Sequence, residues 1–86
     1  MTIEFLYFEG CARAPATRRL LDRCLEKLGI TVAVDFRMWD GPSPTIRING
    51  VDVMAAAPSN VRACRIDIPT EESLMGALAR ARSQKP

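Results

Sequence analysis

Residues Ile3–Phe8 read Ile-Glu-Phe-Leu-Tyr-Phe, and this run constrains the chain most. Alternate residues of a strand point to opposite faces, which puts Ile3, Phe5 and Tyr7 on one side and Glu4, Leu6 and Phe8 on the other. Both sides are largely apolar, so the strand needs neighbours on both edges and belongs at the centre of a sheet. The chain has 86 residues. That is one domain with a thin core, because so short a chain buries only roughly 60–65% of the surface it exposes when unfolded.

The remaining elements follow in order. Gly10-Cys11-Ala12-Arg13-Ala14-Pro15 forms a corner, and Pro15 suits a first helical turn. Thr17, Leu20, Leu21, Cys24, Leu25 and Leu28 repeat at helical spacing up to a stop at Gly29. Thr31–Arg37 alternates, with Val32, Val34 and Phe36 inward. After a short loop, Thr45–Asn49 and Val51–Met54 alternate about Asn49-Gly50, a pair suited to the positive φ of a tight hairpin. In these two strands Ile46, Ile48, Val51 and Val53 read as inward. Residues 55–67 are irregular. A second helix opens at Pro69-Thr70-Glu71-Glu72, with Thr70 as its cap and Leu74, Ala77, Leu78 and Ala81 as its buried stripe. Residues 83–86 read as a frayed tail.

The order is strand, helix, strand, strand, strand, helix, an α/β arrangement. The six residues 38–43 cannot hold a crossover helix. Three of the four strands carry one apolar and one polar face, the pattern of a mixed four-stranded sheet with both helices on one side. Glu4, Asp35, Arg37, Arg47 and Asp52 then share the uncovered side.

Several classes of function are disfavoured. The net charge is only +2, with no basic tract and few aromatics, which argues against a nucleic-acid surface. No run approaches the ~18 apolar residues of a membrane span. The N-terminal run carries Glu4 and Glu9 without a basic leader, unlike a signal peptide. Three cysteines do not make a secreted disulfide framework, so the expectation is a cytoplasmic chain with reduced thiols at rest. With no histidine there is no imidazole base and no histidine metal ligand.

Taken together, these features resemble the thioredoxin-like superfamily, specifically small glutaredoxin-like monothiol proteins. The resemblance rests on the apolar strand ending at Gly10-Cys11, on Ser43-Pro44-Thr45, on the Asn49-Gly50 hairpin, and on Cys64-Arg65 ahead of the last helix. It implies a minimal βαβ-ββα form of that fold, lacking the helix that normally precedes the cis-proline. It also implies a cis bond at Ser43–Pro44. The superfamily's Cys-x-x-Cys motif is broken, since Ala14 stands where the second cysteine belongs.

Cys11 is the candidate nucleophile; the competing reading is a small buried residue in a tight turn. A helix N-terminus and the cations Arg13, Arg18 and Arg19 could favour its thiolate. By the same resemblance Ser43, Pro44 and Thr45, with Arg13, would meet a bound thiol or disulfide. The fourth strand returns the chain to the Cys11 end, so Cys64 could supply the resolving thiol, with glutathione as a possible external reductant. Alternatively Cys11 and Cys64 could hold a soft cation such as mercuric or cuprous ion, or the domain could be a non-catalytic binding scaffold. Cys24 reads as core packing. Expected partners are protein or small-molecule thiols and disulfides. A homodimer through an apolar patch of Leu6, Phe8, Trp39 and Met54 on the uncovered sheet face is a further expectation.

Overall fold

The computed structural model describes residues 1–54 and 69–83, and residues 63–64 as backbone. Its elements are β1 (Ile3–Tyr7), α1 (Ala14–Leu28), β2 (Val34–Met38), β3 (Pro42–Ser43), β4 (Thr45–Ile48), β5 (Val51–Asp52), β6 (Ala63–Cys64) and α2 (Glu71–Ser83). Four strands form a mixed sheet in the order β2-β1-β4-β5. β1 is central, parallel to β2 and antiparallel to β4. Both of its faces are used: Ile3 and Phe5 are buried on one, Leu6 on the other.

The core lies between the sheet and the two helices. Ile3, Phe5, Ile46 and Ile48 from the sheet join Leu21, Cys24 and Leu25 of α1 and Leu74, Leu78 and Ala81 of α2 in one cluster. α1 ends where Gly29 adopts a left-handed φ of 66°, which lets its N–H reach back to Glu26 O. Thr70 caps α2, its hydroxyl accepting from Ser73 N at 3.1 Å. At the helix ends, Lys27 pairs with Glu71 and Arg82 donates to Leu28 O.

Asn49 (φ 53°) and Gly50 (φ 81°) turn the β4–β5 hairpin. Asn49 also exchanges hydrogen bonds with Thr2, its side chain accepting from Thr2 N and its own N–H donating to Thr2 O. This fastens the turn beside the start of β1.

The structure differs from the sequence pattern in several places. β2 starts at Val34, not Thr31, because β1 begins at Ile3 and leaves residues 31–33 without a partner; Met38 gains one in Tyr7. Val51 reads as inward yet is 67% exposed, since β5 is a two-residue strand at the outer edge of the sheet. Ser83 belongs to α2 rather than to a tail. Pro42–Ser43 pairs in parallel with Ala63–Cys64, a second small sheet that no periodicity foreshadows. Arg62 and Arg65, which the sequence also offers as cations around Cys11, lie outside the described residues, as do residues 84–86.

Cys24 is fully buried, and its thiol lies 3.9 Å from Glu71 O. Burial, and then the Glu71 carboxylate, push this thiol above its ordinary pKa. The folded chain therefore holds a proton that the unfolded chain releases at alkaline pH. The resulting stability is fully present below the ordinary thiol pKa and is lost as pH rises through the raised folded value. Urea midpoints at neutral pH and near pH 10 should fall more steeply with pH for the natural chain than for Cys24→Ala. Equal slopes would contradict the assignment.

Candidate functional site

β1 delivers the chain to a corner made by Glu9 and Gly10. Gly10 has φ 90°, a conformation L residues rarely adopt, and this reverses the backbone before Cys11. Cys11 N donates to Phe8 O (3.4 Å), and Cys11 O accepts from Ala14 N (3.2 Å) as α1 begins. The N-cap position is Arg13, whose side chain makes no capping bond, so Cys11 lies just before the helix rather than in its first turn.

The Cys11 sulfur sits 3.5 Å from the carbonyl oxygen of Ser43. The Ser43–Pro44 peptide bond is cis. Phe8 N donates to Ser43 Oγ at 3.3 Å, and Thr45 Oγ1 donates to Pro42 O at 2.7 Å. Ser43, Pro44 and Thr45 are all buried. Both hydroxyls are thus engaged within the chain, and what this segment presents to the sulfur is the Ser43 carbonyl. Arg13 is half-buried.

Cys11 is disulfide-bonded in the structure. Cys24 is free. The β3–β6 ladder sets the backbone of Cys64 in register with Ser43, the residue whose carbonyl adjoins Cys11. Three separated stretches, residues 10–11, 43–44 and 63–64, therefore meet at one end of the sheet.

Beside this junction an open groove of about 440 Å³ runs between α1 and the β2 side of the sheet. Phe5, Tyr7, Phe8 and Phe36 give it an apolar floor, Cys11 lies at one end, and Arg18 and Arg19 line its helix side. The Arg18 guanidinium stands 4.3 Å above the Phe36 ring, a cation–π contact. Phe36 is inward in the alternating pattern of β2, but its place in the groove comes from tertiary pairing: it lies opposite Phe5, ring centroids 5.6 Å apart.

Comparison with known proteins finds no matching family model, curated protein or solved structure.

On the other side of the sheet, Leu6 is only 4% exposed and adds no apolar surface. Trp39 N donates to Tyr7 O, and the Arg47 guanidinium of β4 lies 5.0 Å from the indole. With β1 between β2 and β4, this pairing spans the central strand near Leu6. Trp39 and Met54 are themselves half-buried. Arg37 bonds Asp35 and approaches Glu4 at 3.9 Å. This face is a charged surface with one indole laid on it, not the apolar patch expected of Leu6, Phe8, Trp39 and Met54.

Among the described residues no three His, Cys, Asp or Glu side chains cluster to hold a metal ion. No described helix is long and apolar enough to cross a membrane.

Proposed function

We propose that the chain is a thioredoxin-like thiol–disulfide oxidoreductase acting through Cys11, with Cys64 as the resolving thiol. The observation that carries this reading is the disulfide state of Cys11 at the strand–helix corner, beside an open groove. Cys24 is free and the chain has three cysteines, which leaves Cys64 as the partner within the chain. The register of Cys64 with Ser43 supports the same pairing.

In the reduced protein the Cys11 thiolate attacks one sulfur of a substrate disulfide. A Cys11–substrate mixed disulfide forms, and the other substrate sulfur leaves as a thiolate. The Cys64 thiolate then attacks the Cys11 sulfur, expels the second substrate thiolate and closes the intrachain disulfide. Two electrons pass from the protein dithiol to the substrate. Two equivalents of an external thiol, glutathione among them, return the protein to its reduced form. A soft cation would compete only in that reduced state, since a disulfide sulfur is not a thiolate ligand.

The test is reduction followed by alkylation and peptide mapping. Cys11 should react with iodoacetamide well before the fully buried Cys24, and one equivalent of a small disulfide should convert the reduced chain to a Cys11–Cys64 disulfide. Cys11 reacting as slowly as Cys24, or no intrachain bond after oxidation, would overturn the proposal.

A second reading is a non-catalytic thioredoxin-like scaffold in which the disulfide is a structural staple. Its support is that Cys11 is only 5% exposed. A potential below about −300 mV, resistant to the glutathione pool, would favour the staple over the exchange role.

A further inference from the structure

We propose that β2 is a self-pairing edge, through which two copies of this chain join their sheets antiparallel about a two-fold axis at Phe36. β2 is the outer strand of the sheet, and Asp35, Phe36, Arg37 and Met38 are all exposed, Met38 at 61%. Its five residues include no proline and no lysine, the usual guards of a strand edge. The opposite edge, β5, is only two residues long.

The backbone sets the register. Trp39 donates its N–H to Tyr7 O of β1. By strand alternation Asp35 and Arg37 also turn their backbone groups toward β1, and Val34, Phe36 and Met38 turn theirs outward. In an antiparallel pair centred on Phe36, these outward groups meet as hydrogen-bonded pairs: Phe36 with the partner's Phe36, and Val34 with the partner's Met38 in both directions.

The side chains agree with that register, and they identify the occupant as a second copy. Val34-Asp35-Phe36-Arg37-Met38 has apolar residues placed symmetrically about Phe36 and charges of opposite sign at equal distance from it. A two-fold axis there sets Asp35 opposite the partner's Arg37, Arg37 opposite the partner's Asp35, and the two Phe36 rings against each other. An isologous interface requires this self-complementarity. Sliding the partner by two residues sets Asp35 against Asp35 or Arg37 against Arg37. Arg37 already bonds Asp35 within the strand, so pairing joins two such ion pairs into one alternating cluster. On the other side of the sheet Phe36 lines the Cys11 groove, and Arg18 covers its ring. The partner's Phe36 would therefore stand at the groove mouth.

One strand makes a small interface, so the dimer is expected to be weak and concentration-dependent. Sedimentation equilibrium of the full chain, run from low to high micromolar in both oxidised and reduced forms, should show a monomer–dimer equilibrium in each. This makes the outcome independent of the redox proposal. Arg37→Asp, which opposes aspartates across the axis, should weaken the dimer at least about tenfold, as should Asp35→Arg. The double variant Asp35→Arg/Arg37→Asp restores opposite charges and should restore the dimer. Circular dichroism matching the natural chain certifies each variant as folded. A monomeric mass throughout, a dimer indifferent to the single changes, or a folded double variant that stays monomeric would overturn the proposal.

Discussion

Replacing Phe5 with alanine is expected to cost about 3–5 kcal/mol, the usual loss for deleting a buried aromatic ring. Phe5 is 2% exposed on the central strand, and its ring meets Phe36 at 5.6 Å and Tyr7 at 6.0 Å between centroids. Its neighbours in register are Phe36 and Ile46. Deleting it removes the contact that three strands share, and it also opens the groove floor. The total stability of a domain this size is about 4–13 kcal/mol, so the loss is comparable to the lower end of that range. Urea denaturation should show a large drop in midpoint for Phe5→Ala and a drop of no more than about 1.5 kcal/mol for Phe5→Leu, which keeps most of the volume. Similar small shifts for both would mean that the centre of the core lies elsewhere.

The second large effect concerns Cys11. Adding dithiothreitol to the natural chain should lower its stability by about 2–4 kcal/mol, the typical contribution of a disulfide that closes a loop of tens of residues. Cys11→Ser should behave like the reduced natural chain, should not respond to dithiothreitol, and should reduce small disulfides no faster than buffer thiol alone. Cys24→Ser should keep both responses, because Cys24 is the free cysteine. If Cys11→Ser still loses stability on reduction, the disulfide involves another residue. If it retains exchange activity, Cys11 is not the nucleophile.

Much of this architecture can be read from local pattern. β1 is apolar on both faces, Asn49-Gly50 suits a hairpin turn, and Thr17, Leu21, Cys24 and Leu25 repeat every third or fourth residue. Each is a local signal for a local structure, and the mixed sheet with two helices follows from their order. The candidate site was only partly legible. Gly10-Cys11 marks the corner in the sequence, but no short-range rule pairs Pro42–Ser43 with Ala63–Cys64, far along the chain. Nor does periodicity reveal that Ser43 and Thr45 spend their hydroxyls on Phe8 and Pro42 rather than on a ligand. Leu6 misleads for a related reason. Alternation sets it on the charged face, yet it is 4% exposed in the central strand, where Trp39 on one neighbouring stretch reaches toward Arg47 on the other.

Trp39 is the only tryptophan of the chain. Its indole N–H donates to Pro42 O at 3.0 Å, and its ring lies so close to Gly41 that a Cβ there would come within 2.7 Å of it. The ring is thereby tied to the short connection that leads into Ser43, the residue beside the Cys11 sulfur. Its fluorescence is therefore a native optical gauge of the connection that bears on that sulfur, and it can be followed without attaching a dye.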